Sequence, residues 1–145
     1  MHEALLDVHV VAGTVGLLLG PVWLVARRAG RGGRWPAVGY QAAVALVAAT
    51  GGILAATSPG LLWLLPVAVM TEILAVAGAL ARRRGWRHWA TLQPHLLGGS
   101  YIALVTALLV AETGNPVFWV LPAVVGQLPI AVAKRRLQVA GPAPA

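Results

Sequence analysis

The chain has no cysteine. That excludes disulfides, thiol catalysis, iron–sulfur clusters and cysteine-ligated zinc together. It is also short of charge. Asp, Glu, Lys and Arg make up 10% of its 145 residues, against roughly 25% in a soluble domain. So few charged groups cannot coat a water-soluble monomer. Acidic residues are the rarest, four in all, and an Asp-based two-metal site has no basis. No lysine falls inside an apolar run, which excludes a retinal-type Schiff base. HExxH, GxSxG and Walker sequences are missing too. Hydrophobic residues supply 59% of the chain, which excludes intrinsic disorder.

The excess of apolar residues calls for lipid as the second solvent. A helix needs ~20 apolar residues to cross ~30 Å of hydrocarbon. Five runs meet or approach that length: 5–26, 37–57, 61–81, 90–111 and 117–133. Two arginine-rich loops and two turn sequences, Ser58-Pro59-Gly60 and Thr113-Gly114-Asn115-Pro116, separate them. The pattern predicts an all-α protein, one bundle of five transmembrane helices over 1–136. A disordered tail is expected over 137–145.

The net charge of +7 does not point to nucleic acid, because all 11 basic residues fall in three clusters between or after the runs. They are Arg27, Arg28, Arg31 and Arg34; Arg82, Arg83, Arg84 and Arg87; and Lys134, Arg135 and Arg136. The opposite side carries Glu3, Asp7 and Glu112 and no Lys or Arg. The positive-inside rule then predicts an external N-terminus and a cytoplasmic C-terminus. The first run is too long for a signal peptide, and its charges follow it, so it reads as an uncleaved anchor. Trp23, Trp35, Trp86 and Trp89 fall at the expected inner boundary, and Trp63 and Trp119 near the outer one.

Polar residues at depth carry the functional expectation. Glu72 lies about eleven residues into the third run, near mid-membrane. Gln127, Tyr101 with Ser100, and Thr50 reach similar levels on three other helices. A carboxyl group there costs several kcal/mol unless paired, protonated or wetted, so it must face the interior. It serves either as hydrogen-bonded glue between helices or as a site for a proton or ligand. His9 sits in the outer third of the first run, above a stripe of Gly13, Gly16 and Gly20 expected to meet the fourth helix. His95 enters the fourth helix at its cytoplasmic end. The two histidines lie ~15 Å apart in depth, too far to share one haem. Pro21, Pro66, Pro122 and Pro129 are expected to kink helices and free carbonyls.

The stretch from His95 through Gly98-Gly99-Ser100-Tyr101 to Gly114-Asn115-Pro116 resembles an uncharacterised family of small bacterial polytopic membrane proteins. The opening, from His9 to Gly13 and on to Gly20-Pro21 and an arginine loop, is similar as well. The resemblance covers most of the chain. It implies a bacterial cytoplasmic (inner) membrane protein with His9, His95, Ser100 and Tyr101 as positions of interest, and it implies no activity. Family members often carry a His-Arg pair and Gly-x-x-Tyr in the first cytoplasmic loop. Here Gly33-Arg34-Trp35 lacks that histidine, which withdraws support for a metal or haem role.

The leading expectation is a pocket for a lipophilic small molecule. Glu72, Tyr101 and His9 are its candidate catalytic residues, with acid/base chemistry on Glu72. Gln127, Thr50, Ser100 and His95 are candidate ligand-binding residues. No metal or cofactor is expected. The alternatives are a structural subunit of a membrane complex, a proton-coupled carrier, and a redox subunit holding haem or quinone. The expected partners are the lipid bilayer, a lipophilic small molecule and a second copy of the chain.

Overall fold

A computed structural model of the chain describes residues 2–28 and 34–139. Part of the first arginine loop, with Arg31, and the expected tail from 140 onward lie outside the described residues. So do the side chains of 23–28 and 34, and with them the expected places of Trp23, Arg27, Arg28 and Arg34.

Five long helices make up the fold: α1 (His2–Arg28), α2 (Arg34–Thr57), α3 (Leu64–Arg83), α4 (Trp89–Thr113) and α5 (Leu121–Val139). No strand occurs among the described residues. All five helices are long and apolar enough to cross a membrane. α5 reaches Val139, so the last helix extends into the segment expected to be tail.

The turns form as their residues dictate. Pro59–Leu61 is one 3-10 turn in which Leu61 N–H donates to the Ser58 carbonyl at 2.8 Å. Gly114 caps α4 in the left-handed conformation, φ 61°, and its N–H donates to the Val110 carbonyl. A side chain there would carry a steric penalty that glycine lacks. Asn115 then accepts the Val117 N–H on Oδ1 at 2.9 Å and opens the short 3-10 turn Pro116–Trp119. Of the expected kinking prolines, Pro21 and Pro129 lie inside helices. Pro66 and Pro122 fall in the first turns of α3 and α5, where no N–H is needed and none is missed. Pro94, inside α4, joins the interior set.

Two compact units divide within α3, one comprising Met1–Glu72 and the other Ile73–Ala145. In the first unit α1 packs on α2. His9 meets Gly51, Gly13 meets Val47, and Leu19 meets Gly39. One number rises as the other falls, so the helices run antiparallel. On α2 the covered positions are Tyr40, Ala43, Val44, Thr50, Leu54 and Ala55, a stripe at helical spacing. The α1 glycine stripe, expected to meet the fourth helix, meets α2 at Gly13. At Gly52, α2 also touches Leu65 of α3.

In the second unit α4 packs on α5. Gly98 meets Ile130, and Gly126 meets Ile102. This pair is antiparallel by the same reasoning. Leu97 fills the space over Gly78 of α3, and Leu74 approaches Gly99. On α4, Gln93, Leu97, Ser100 and Leu104 form the buried stripe.

Many of the buried groups are small or polar, alongside Tyr40, Leu54, Leu97, Leu104 and Ile130, and the exterior is rich in large apolar ones. Thr50, Thr71, Gln93, Ser100 and Thr106 are buried, while Val11, Leu18, Val124 and Leu128 are exposed, Leu128 to 70%. So apolar an exterior is not the arrangement of a protein that folds in water.

Candidate functional site

The first unit brings two of the expected site residues into contact. His9 Nδ1 lies 3.0 Å from Thr50 Oγ1 across the α1–α2 seam. The threonine hydroxyl donates to the Leu46 carbonyl at 2.7 Å, one turn back on its own helix. The imidazole also hydrogen-bonds the Val47 carbonyl, which can only accept. Gly51 makes this approach feasible: a Cβ there would sit 2.9 Å from His9 Cε1. Residue 51 thus clears a slot in which the ring lies against the α2 backbone. Thr50 is buried and His9 half-buried.

Glu72 belongs to the same unit and ends its stretch of α3. Its Oε2 is buried and has no hydrogen-bond partner among the described residues. The preceding residue, Thr71, is buried and satisfied by the Val67 carbonyl at 2.7 Å. Contact of Gly52 with Leu65 sets Thr50 level with about residue 67. Glu72 then lies about five residues deeper than the His9–Thr50 pair, ~7.5 Å along the helix. A buried carboxyl oxygen that goes without a hydrogen-bond partner costs about 1–3 kcal/mol. Whatever supplies a donor or a proton acceptor there recovers that energy.

In the second unit the expected residues separate. Ser100 is fully buried and donates to the Leu97 carbonyl at 2.9 Å. Tyr101 is half-buried. Gln127 is exposed, because the face of α5 that meets α4 runs through Pro122, Gly126 and Ile130. Gln127 stands about 100° around the helix from Gly126. His95 is exposed too, its Nδ1 bonded at 2.8 Å to the Thr91 carbonyl of its own helix. The histidine is thus tied locally to α4.

Sequence reasoning passed over Gln93. It is 4% exposed, and its Oε1 is buried without a hydrogen-bond partner among the described residues. The signal was present: Gln93, Leu97, Ser100 and Leu104 follow one heptad-like stripe, so a glutamine there must turn inward. No group of three or more His, Asp or Glu side chains that could hold a metal ion occurs among the described residues.

No family model matches the chain, and no curated protein or solved structure shows significant similarity to it.

Proposed function

We propose that the chain is an integral protein of the bacterial cytoplasmic membrane that binds or transforms a lipophilic small molecule at a polar site centred on Glu72. Its N-terminus lies outside and its C-terminus in the cytoplasm, as the three basic clusters require. The five apolar helices and the apolar exterior support the membrane reading.

The observation that carries the functional part is Glu72 Oε2. A group serving only as helix glue is bonded; this oxygen is buried and unbonded among the described residues. In an apolar surround such an atom is a recognition point for one polar group of an otherwise apolar ligand. Glu72 can also give or take a proton there, which gives the site acid/base capability. His9 and Thr50 supply a second polar point nearer the outer face.

Mass spectrometry of organic extracts from the purified protein tests this. The parent is expected to retain an apolar metabolite that bulk lipid does not account for. Glu72→Gln is expected to fold and to lose it. A parent that carries only bulk lipid, or a Glu72→Gln variant that retains the same molecule at full occupancy, overturns the proposal.

A further inference from the structure

Gln127 holds a polar group at mid-span on an outward face of α5. In the membrane-crossing stretch Pro116–Arg136 it lies eleven residues from one end and nine from the other, so ~13–17 Å of helix separates it from either boundary. α5 turns Gly126 and Ile130 to α4. Gln127 stands to one side of that contact and is exposed. Its amide has two N–H donors and an acceptor oxygen. Hydrocarbon satisfies none of them, so a glutamine at this depth is stable only against a polar group of another helix.

The residues around it form one outward seam. At about 100° per residue, Val124 and Ala131 fall within about 60° of Gln127, on the side away from Gly126 and Ile130. Val120 continues the line one turn earlier, its carbonyl accepting the Val124 N–H at 3.1 Å. All four residues are exposed, Val120 and Val124 each to 62%. The spacing 120, 124, 127, 131 is that of the contact positions of a helix pair. No charged residue falls on the seam before Lys134, at the end of the span. Two identical copies of it therefore meet without repulsion.

We propose that this seam is the contact between two copies of the chain, a two-fold pair of α5 helices joined by hydrogen bonds between their Gln127 amides. The occupant follows from the amide and the bilayer together. Copies inserted with one orientation carry Gln127 at one depth, on helices that run in the same direction. Each amide then donates to the other's oxygen and accepts in return, one bond repeated across the axis. Ala131, one turn away, leaves room for the backbones to approach. The proposal rests on the membrane placement above and not on the Glu72 ligand.

Single cysteines in the full chain test the proposal, since no native cysteine interferes. In carbonate-washed membranes, Val124→Cys and Ala131→Cys are expected to form covalent dimers on brief oxidation. Val125→Cys, at the same depth but about 160° around the helix from Gln127, is expected to stay monomeric. At low expression the cross-linked fraction follows the association constant. Gln127→Leu in the Val124→Cys chain should lower that fraction about ten-fold, the worth of two such bonds between helices in a bilayer. Gln127→Asn keeps an amide and should retain most of it. No dimer at Val124→Cys, equal yields at 124 and 125, a Gln127→Leu chain that cross-links like the parent, or cross-linking to a different protein overturns the proposal. The assay reads no small molecule, so failure of the Glu72 reading leaves its outcome unchanged. A chain that carbonate releases from the membrane defeats the membrane placement, and this proposal with it.

Discussion

Gly98 of α4 receives the side chain of Ile130 from α5: a Cβ at Gly98 would lie 2.6 Å from Ile130 Cγ1. One turn on, the relation is returned, with Gly126 of α5 receiving Ile102 of α4. Each helix thus offers a glycine notch and fills the other's with an isoleucine. Close backbone approach of this kind is the main source of packing energy when the surrounding solvent is as apolar as the side chains.

That interlock predicts a stability series. Gly98→Ala should destabilise the protein by about 1–3 kcal/mol, the usual range for overpacking a filled core. Gly60→Ala, where a Cβ meets nothing within 4 Å, serves as the control and should change little. Pairing Gly98→Ala with Ile130→Ala should recover part of the loss, because the second change vacates the space the first one needs. Thermal unfolding in one detergent measures all four proteins. Equal loss in Gly98→Ala and Gly60→Ala would show that the notch is not an interface.

A second prediction concerns the slot beside His9. Gly51→Ala places a methyl group 2.9 Å from Cε1, so the ring must leave its bond to Thr50. The expected loss is about 1 kcal/mol for that bond plus a smaller packing strain. Thr50→Val removes the hydroxyl with little change of shape and should cost about the same. Because both act on one contact, the double variant should fall well short of additive. Additive losses would mean that Gly51 and Thr50 act on different things.

For Glu72 the expected result is a separation of stability from function. Glu72→Leu removes a buried oxygen that has no partner among the described residues, so it should match the parent in stability or exceed it by about 1 kcal/mol. It should also lose any retained ligand. A variant that unfolds would show the carboxyl to be structural.

Orientation is the easiest property to check, since the chain has no cysteine to remove. Single cysteines at Gly60 and Gly114 should react with an impermeant thiol reagent on intact cells, and those at Gly32, Gly85 and Gly141 should not. Labelling at Gly85 without labelling at Gly114 would invert the map.

The helices were legible in the sequence because apolar length, arginine loops and Pro/Gly turns are local signals, and each boundary moved by only a few residues. Rise along each helix follows from residue count, but the common level expected for Glu72 and Thr50 does not hold, since the α2–α3 contact at Gly52 and Leu65 sets them ~7.5 Å apart. Azimuth was not legible. Gln127 and Gly126 share a depth, but a turn of about 100° decides which of them meets α4, and only the partner's position settles it. The glycine stripe of α1 posed the same question, and the structure answers it with α2 at Gly13. Gln93 was overlooked because it lies near a helix end, where a polar residue attracts no notice. The contact of His9 with Thr50 could not be read from spacing, because 41 residues and a loop separate them.

The closeness of the helix crossings has a consequence for which kinds of sequence change the fold absorbs. Its largest fully buried side chains are only Val44 and Ser100. Trimming these two leaves small voids, whereas truncating the larger buried side chains Tyr40, Leu54, Leu97, Leu104 or Ile130 would leave larger ones. Enlargement is damaging as well, at the glycines of the helix crossings and at fully buried small residues such as Ala55, Ala75, Ala81 and Ser100. The long outward-facing rows of valine and leucine can exchange with one another as long as they stay apolar. Drift among descendants of this chain should therefore rewrite most of its surface lettering while leaving Gly51, Gly78, Gly98 and Gly126 in place.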